Sequence, residues 1–400
     1  MRTFDVAIVG AGPAGCAAAI SIGDFAPELS LCLVGPELFV AEVPDGHRSE
    51  AQARIGESVP PQIEPILAHL GLSASFAADG HLPSYRTASA WGSEALIANE
   101  FFFQPQQLGW RLDRARFDRM MLAAASTHIA ARVTAWAAGL SRRGEGWSLA
   151  LDDGLRIAAR FIVDATGRSA TLARAIGLRS VTLDKLVGCS IQVADEAGDG
   201  GELLIETFAD GWWYTAGLPG GRRIVMCMTD ADLVRRLDLR SQVGFARRLA
   251  ETRHVTNVAG ASLPLEAPTL WPASSRRVAH VEGLPLLCVG DAASCYDPVA
   301  GQGILKALQS GIFASYAIAD ALRGADERGL QRYAFLVERD FEVYCAAHRA
   351  FHALEPRWRT RPFWCRRQED RKKDRQEGRQ DDRTMPVTNL AEHAQAGGAT

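Results

Sequence analysis

Lysine is scarce in this chain. Only four of the 44 basic residues are lysines, and the remainder are arginines. The first lysine is Lys185, followed by Lys306, Lys372 and Lys373. Because an arginine guanidinium effectively never deprotonates, it is a poor substitute for a lysine amine in catalysis. The count therefore excludes a catalytic ammonium group from the part of the chain before Lys185.

Three further shortages exclude broad classes of protein. No apolar run reaches the roughly 18 residues that a membrane span needs, and nothing before Phe4 resembles a signal peptide. The eight cysteines form no Cys-x-x-Cys pair, and their scatter is typical of reduced thiols. The net charge of −3 lacks the basic excess of a nucleic-acid binder. We expect a cytoplasmic protein without a membrane span or a nucleic-acid partner.

A glycine-rich turn follows the first apolar segment. Residues 4–9 are typical of a buried strand, and Gly10, Gly12 and Gly15 then form the pattern Gly-x-Gly-x-x-Gly where a helix begins. Such a turn lets a pyrophosphate approach the backbone and the positive end of the helix. We predict a dinucleotide site formed by Gly10, Gly12, Ala14 and Gly15.

Three segments together resemble the FAD-binding stretches of flavoprotein monooxygenases and flavin-dependent halogenases, namely residues 10–15, 163–168 and 289–293. The resemblance implies that Asp291 holds the ribitol chain of FAD. It also implies that the edge of the isoalloxazine ring is wrapped by Pro298, Gly301, Gln302 and Gly303. A helix that begins after Gly301 would direct its positive end at the flavin atoms where negative charge develops on reduction.

Four further segments narrow this resemblance to one subgroup of the superfamily. They are residues 54–61, 110–118, 211–214 and 362–367. They are similar to halogenase-like flavoproteins of tryptophylquinone cofactor biogenesis, which include the maturation monooxygenase of quinohemoprotein amine dehydrogenase. The resemblance implies hydroxylation of a tryptophan side chain within a partner protein or peptide. We expect Glu57 and Ser58 to contact FAD and Arg114 to neutralise its pyrophosphate, although Arg114 could equally form a surface ion pair.

The shortage of lysine separates two reactions of this superfamily. The resemblance implies a flavin C4a-hydroperoxide, formed from reduced FAD and O₂, in both. Halogenases then use a lysine that lies shortly after the segment around Glu57, and this chain has none there. Their motif Trp-x-Trp-x-Ile-Pro is also absent, and residues 212–219 occupy the corresponding strand. We therefore expect an FAD-dependent monooxygenase that hydroxylates an aromatic ring.

Several alternatives remain open at this point. They are a flavin-dependent halogenase, a small-molecule aromatic hydroxylase and a non-catalytic flavin-binding assembly factor. The chain has only one dinucleotide fingerprint. Electrons would therefore come from NAD(P)H that binds transiently or from a separate reductase.

Two carboxylates are candidates for a general base that assists oxygen transfer. Glu57 lies in a motif expected beside the flavin, and Asp297 directly precedes Pro298. Each has a structural alternative. Glu57 could stabilise the start of a helix, and Asp297 could cap the next turn.

Aromatic residues of the predicted strands are candidates for a substrate pocket, namely Trp91, Trp212, Trp213 and Tyr214. Core packing is the alternative, because strands favour aromatic side chains. His348 and His352 share a helix face, but two ligands do not make a metal site, and we expect no metal. Phe363 and Trp364 either anchor the C-terminal segment or belong to a partner surface.

The predicted fold is α/β, with a Rossmann-like FAD-binding domain, an inserted β-sheet substrate domain and a C-terminal helical segment. The FAD-binding domain comprises residues 1–84, 105–179 and 276–325. The substrate domain comprises residues 85–104 and 180–275. The helical segment spans residues 326–365, and a charged, mobile tail spans residues 366–400.

The first prediction concerns colour. Purified protein should be yellow and show flavin absorbance, because the glycine-rich turn and the two later segments together predict bound FAD. Absorption spectroscopy of the purified chain, before and after incubation with FAD, checks this. A colourless protein that takes up no FAD would contradict it.

Overall fold

The computed structural model describes residues 2–36, 58–101, 105–195, 202–260, 267–324 and 328–368. The predictions for Glu57 and for residues 369–400 lie outside the described residues.

The described helices and strands follow one another in a mixed α/β order. The helices are α1 (Pro13–Phe25), α2 (Ile63–His69), α3 (Ser73–Ala78), α4 (Arg114–Ser126), α5 (Thr171–Ala175), α6 (Val234–Leu237), α7 (Gln242–Ala250), α8 (Val255–Ala259), α9 (Gly303–Leu322), α10 (Arg328–Ala353) and α11 (Pro362–Gln368). The strands of the first half are β1 (Arg2–Val9), β2 (Leu31–Val34), β3 (Ser58–Val59), β4 (Leu82–Ser84), β5 (Arg86–Ala90), β6 (Ile97–Glu100), β7 (Gly109–Arg111), β8 (Ala131–Val133), β9 (Ala137–Arg143), β10 (Gly146–Leu151) and β11 (Arg156–Asp164). The later strands are β12 (Ser180–Thr182), β13 (Leu186–Ala194), β14 (Leu203–Phe208), β15 (Gly211–Leu218), β16 (Arg222–Asp230), β17 (Thr269–Pro272), β18 (Arg276–Val278), β19 (Leu286–Cys288) and β20 (Ser294–Cys295).

The first large sheet has the strand order β8-β2-β1-β11-β10-β9, and β19 also pairs with β11. The pairs that join β8, β2, β1, β11 and β19 are parallel, whereas β10 is antiparallel to its neighbours. All four residues of β2 are buried, as expected for a parallel strand covered on both faces. Helices α1 and α9 pack against each other in the core beside this sheet. The parallel strands therefore end together at one edge, where loops from distant parts of the chain meet.

The second large sheet has the strand order β17-β13-β16-β15-β14-β5-β6. Its pairs are antiparallel except for β14 with β5, which run parallel. A small sheet of β12, β18 and β20 lies where the chain passes between the two large sheets. The predicted α/β architecture, with an inserted sheet and C-terminal helices, is confirmed. No described helix is long and apolar enough to cross a bilayer.

The C-terminal helices are fixed to the second sheet by buried aromatic rings. Phe363 and Trp364 are both fully buried, and the Trp364 indole Nε1 donates a hydrogen bond of 2.9 Å to the carbonyl oxygen of Phe208. Arg367 forms an ion pair of 2.9 Å with Asp230 of β16. Phe363 and Trp364 therefore anchor the C-terminal segment and are not exposed as a partner surface. Helix α11 also extends three residues beyond the expected end of the helical segment.

The second prediction tests this anchor. Trp364→Ala should lower the free energy of unfolding by about 3–5 kcal/mol, because the substitution leaves a cavity and an unpaired carbonyl group. Urea denaturation followed by far-ultraviolet circular dichroism measures the change. Trp136 is 64% exposed and provides the control. Trp136→Ala should change stability by no more than about 0.5 kcal/mol, and an equal loss in both variants would contradict the role of Trp364.

Candidate FAD site

The three segments predicted to bind FAD lie together at the carboxyl ends of β1, β11 and β19. The backbone N–H of Ala165 donates a hydrogen bond of 2.8 Å to the carbonyl oxygen of Val9. The backbone N–H of Val289 donates a hydrogen bond of 2.9 Å to the backbone carbonyl oxygen of Asp164. These bonds join the three loops directly, although Val9 and Val289 are 280 positions apart in the sequence. The sheet therefore assembles one site from distant parts of the sequence.

The glycine-rich turn has the shape of a phosphate cradle. Gly10 has a φ of +115°, and a Cβ atom there would lie 2.1 Å from the carbonyl oxygen of Ala165. A Cβ atom at Gly15 would lie 1.9 Å from the carbonyl oxygen of Gly10. At Gly12 a Cβ atom would meet nothing within 4 Å among the described residues. Gly10 and Gly15 are thus required by packing, whereas Gly12 faces open space at the start of α1.

The first turn of α1 offers its backbone N–H groups to an anion. No described side chain caps this helix, and Pro13 occupies the position where an N–H would in any case be unpaired. Ala14 is 7% exposed and packs near Gly290, where an added Cβ would lie 2.8 Å from the Ala14 Cβ. A helix N-terminus of this kind attracts a pyrophosphate. The residues present therefore fit the phosphate portion of FAD.

Asp164 organises the second loop. Its carboxylate is fully buried and accepts hydrogen bonds from the Thr166 backbone N–H at 3.0 Å and the Thr166 hydroxyl at 2.6 Å. The other carboxylate oxygen accepts from the backbone N–H groups of Leu172 and Ala173 at the start of α5. These four bonds fix the path of the chain directly after β11. The loop is held in place by the protein itself, so it is organised before any cofactor binds.

Asp291 lies between two cations in the third loop. One carboxylate oxygen is 3.0 Å from Lys306 Nζ, and the other is 3.3 Å from Arg168 Nε. Burial opposes the charge, but Lys306 and Arg168 together hold the pKa of Asp291 below its usual value. Asp291 is therefore ionised at neutral pH. Its contact with the ribitol chain stays a prediction.

Sequence reasoning missed both cations around Asp291. Arg168 also donates to the carbonyl oxygens of Ser274 and Tyr296, and so ties the second loop to the third. Lys306 Nζ lies 4.5 Å from the centre of the Tyr296 ring and contacts the Ser294 carbonyl oxygen. The position of Lys306 one turn into a helix was the available signal. The sequence alone did not show which way its side chain points.

The segment predicted to wrap the flavin edge is a short loop before a long helix. Residues 298–300 form one 3₁₀ turn, Gly301 has a φ of +63°, and α9 then runs for 20 residues. The residues from Gly301 to Gly303 are exposed. Gln302 is the residue before the helix, and its side chain makes no capping bond. The positive end of α9 is therefore accessible, and its contact with the flavin, like that of Pro298, stays a prediction.

Asp297 is buried rather than open to a substrate. It is 1% exposed, and one of its carboxylate oxygens accepts a hydrogen bond of 2.9 Å from the backbone N–H of Val299. The other oxygen lies 3.0 Å from Nε2 of His348. Burial opposes ionisation, but the hydrogen bond from His348 holds the pKa of Asp297 below its usual value. The capping alternative describes this geometry, and the role of Asp297 as a base stays a prediction.

Arg114 forms an ion pair within its own helix. Its Nη2 atom is 3.3 Å from Asp118, one turn further along α4. The Arg114 side chain is 14% exposed, so it is more buried than a surface ion pair would be. Ser58 lies on β3, which pairs with β7 at Arg111. The contacts of Arg114 and Ser58 with FAD stay predictions.

The aromatic residues proposed for a substrate pocket belong to a core cluster of the second sheet. Trp212 and Trp213 are 1% and 0% exposed, and Trp91 is 8% exposed. The Trp213 ring lies 5.0 Å from Phe245, in an edge-to-face arrangement. Core packing, the alternative for these residues, is what the described structure shows. Tyr214 is less buried, and a pocket lined by these four residues stays a prediction.

A buried carboxylate that sequence reasoning missed holds the loop around Gly92. The Glu355 side chain is fully buried and accepts hydrogen bonds from the Gly92 backbone N–H at 2.9 Å and the Thr207 hydroxyl at 2.6 Å. Arg357 neutralises it at 2.7 Å. Three segments that are far apart in the sequence therefore contact the same carboxylate. The spacing of these residues along the chain does not predict such a cluster.

A sequence profile of the FAD binding domain family matches residues 3–336. The chain belongs to this family, and it is an FAD-dependent oxidoreductase of the monooxygenase class.

Two curated proteins illustrate the likeness. The putative FAD-dependent oxidoreductase LodB of Marinomonas mediterranea is 29% identical over 384 residues, which cover 92% of this chain and 97% of LodB. Protoasukamycin 4-monooxygenase of Streptomyces nodosus is 27% identical over 186 residues, 44% of each chain.

Solved structures share the fold over nearly the whole chain. The myxobacterial chondrochloren halogenase CndH matches with a TM-score of 0.80 and 21% identity, covering 94% of this chain and 90% of CndH. The peptidyl tryptophan dihydroxylase QhpG matches with a TM-score of 0.71 and 26% identity, covering 96% of this chain and 81% of QhpG. At 21% identity the halogenase shows the fold alone.

The third prediction uses two glycines of the cradle. Gly12→Val should remove most of the bound FAD while it changes the free energy of unfolding by less than about 1 kcal/mol, because its side chain enters open space. Gly15→Val should lower stability by about 1–3 kcal/mol or more, because its side chain collides with backbone. The flavin-to-protein absorbance ratio and urea denaturation measure the two effects. Full FAD content in a folded Gly12→Val variant would contradict the cradle.

Proposed function

We propose that this flavoprotein hydroxylates a tryptophan side chain of a partner polypeptide during biogenesis of a tryptophylquinone cofactor. The observation that carries this proposal is the likeness to QhpG over 96% of the chain. QhpG is described as a peptidyl tryptophan dihydroxylase essential for tryptophylquinone cofactor biogenesis. The proposal extends that substrate class, a tryptophan within a polypeptide, to the present chain.

The distribution of lysine supports oxygen transfer over halogen transfer. No lysine precedes Lys185, so the first 184 positions contain no ammonium side chain to direct a halogen. Lys306 is paired with Asp291 and covers Tyr296. It is therefore engaged in holding the FAD-binding loops together. A halogenase would have to use a different group, and arginine is a poor substitute.

The cofactor supplies the oxidising chemistry, and the protein supplies binding and orientation. Bound FAD, once reduced, would supply the oxygen-activating chemistry that hydroxylation of an aromatic ring by O₂ requires. The turn at Gly12 would hold the pyrophosphate, Asp291 would hold the ribitol chain, and the start of α9 would stabilise negative charge on the flavin. The electrons come from NAD(P)H that binds transiently or from a separate reductase.

The substrate side of the site is the second sheet. Trp212 and Tyr214 lie on β15 with ring centres 6.0 Å apart, and Trp91 lies 6.4 Å from Trp212. Tyr214 is the least buried of these three residues, and its ring would stack against an incoming indole, whereas Trp91 and Trp212 support it from the core. Glu57 and Asp297 are the two candidates for a base near the flavin, and Asp297 already accepts hydrogen bonds from Val299 and His348.

The fourth prediction tests the reaction itself. The FAD-loaded chain, chemically reduced and mixed with ¹⁸O₂, should add one or two labelled oxygen atoms to one tryptophan of a quinoprotein dehydrogenase subunit that serves as the polypeptide substrate. Mass spectrometry of the digested polypeptide locates the label. The Gly12→Val variant is the control for flavin dependence, because it should retain the fold and lose the cofactor.

Each alternative gives a different result in the same experiment. A halogen atom on the ring, in buffer that contains chloride or bromide, would indicate a halogenase. Oxygenation of free L-tryptophan or another small aromatic compound, with no label in the polypeptide, would indicate a small-molecule hydroxylase. A stable complex with the polypeptide, bound FAD and no product would indicate an assembly factor. Any of these three results would overturn the proposal.

A further inference from the structure

Two histidines of α10 meet a carboxylate that lies 51 positions before them. Asp297 Oδ2 is 3.0 Å from Nε2 of His348 and 3.9 Å from Nε2 of His352. The three ligand atoms lie within 4.8 Å of one another. The sequence offered only the two histidines, and the fold supplies a third ligand from the loop before α9.

The tautomer of His352 is set by one hydrogen bond. Its Nδ1 lies 2.9 Å from the carbonyl oxygen of His348, which can only accept, so Nδ1 carries a proton and donates it. In the neutral ring of this tautomer, Nε2 carries a lone pair rather than a proton.

This lone pair has no hydrogen-bond partner within the described part of the chain. His352 is fully buried, so water does not reach it from bulk solvent. Nε2 instead faces the carboxylate of Asp297, which also presents lone pairs. Two electron-rich groups that face each other in the interior repel unless a cation lies between them. The geometry thus contains a place for a positive charge.

Each donor is also oriented as metal ligands are. A ligating histidine commonly donates its second ring N–H to a backbone carbonyl, as His352 does. Asp297 Oδ1 is held by the Val299 N–H, which leaves Oδ2 to point at the histidines. Histidines four positions apart on a helix present their rings on one face, as in known zinc sites. Ligands about 2.0–2.2 Å from a tetrahedral ion are about 3.4 Å apart. The distances from Asp297 Oδ2 to Nε2 of His348 and of His352, 3.0 and 3.9 Å, lie on either side of that value.

We propose that Asp297 Oδ2, His348 Nε2 and His352 Nε2 bind one divalent transition ion of the zinc type. Two imidazoles and one carboxylate favour such an ion over Mg²⁺ or Ca²⁺, which prefer oxygen ligands alone. The ion displaces the proton from His348 Nε2, and the metal-bound imidazole carries its proton on Nδ1. A water molecule completes the coordination. The side chain of His348 is 10% exposed, whereas the other two are fully buried, so the ion reaches the site from the His348 side.

The residues around the proposed metal site indicate a structural role for the ion. The His352 ring is enclosed by Trp91, Phe363 and Trp364, with ring centres 5.4, 6.4 and 5.9 Å away. Arg367 is the nearest charge from α11, and it is paired with Asp230. Bound metal would connect α10 to the loop at Asp297 that precedes the exposed start of α9. Its role is structural, a clamp between the C-terminal helices and the loop next to the proposed flavin edge.

The fifth prediction tests the metal directly. The FAD-loaded full chain, produced without a histidine tag, is treated with a chelator, dialysed and titrated with Zn²⁺ by calorimetry. We expect about one ion per chain by mass spectrometry of the metal, and a melting temperature that rises when Zn²⁺ is restored. His352→Phe keeps an aromatic ring within the aromatic shell and should lower Zn²⁺ affinity at least about tenfold. His348→Gln should do the same.

The matched control is His280→Gln. His280 is also a partly buried histidine whose pKa is lowered by burial, but it lies outside the three-residue cluster. This variant should bind Zn²⁺ like the unchanged chain. If chelated wild-type protein takes up no Zn²⁺, or if His352→Phe and His348→Gln bind it as tightly as His280→Gln, the proposal is overturned. FAD content is read separately by absorbance, so this outcome is independent of the proposed hydroxylation.

Discussion

The site depends on one close approach, that of Gly10 to the carbonyl group of Ala165. A Cβ atom at Gly10 would lie 2.1 Å from that oxygen, which no side chain can tolerate. The contact brings the end of β1 against the end of β11, and β19 then joins β11 from the other side. The packing of α1 against α9 follows from the same arrangement. The shape of the proposed pyrophosphate cradle is thus a consequence of how tightly two parallel strands and their loops pack.

Buried charge organises the other half of the molecule. Asp164, Asp297 and Glu355 are all buried, and each accepts several hydrogen bonds. The partners of Asp164 lie within nine positions of it, whereas Asp297 is bonded by His348 and Glu355 by Gly92 and Thr207, which are far away in the sequence. A buried carboxylate costs free energy unless it is paired, so each one constrains the elements around it. Glu355 joins α10 to the second sheet, and Asp297 joins α10 to the loop before α9. These contacts explain why the C-terminal helices pack against both halves of the protein.

The aromatic residues show that residue type alone does not distinguish a substrate pocket from the protein core. Trp91, Trp212 and Trp213 were assigned to a pocket or to the core on the same evidence, namely their position in strands. The structure buries all three in the core of the second sheet. Phe363 and Trp364 presented the same ambiguity, and they anchor α11. Residue type predicts that an aromatic ring will be covered, but only the fold shows whether protein or ligand covers it.

The sequence by itself determined the class of fold, and it predicted the place of a phosphate cradle and the segments that surround it, because these rest on local rules. A glycine is required where the backbone turns with positive φ, and an apolar run is required where a strand is covered on both faces. The tertiary structure decided the partners of Asp291, the burial of Asp297 and its meeting with His348 and His352. Those contacts depend on how α9 and α10 pack across the sheet, and packing direction is set by the whole core rather than by spacing along the chain.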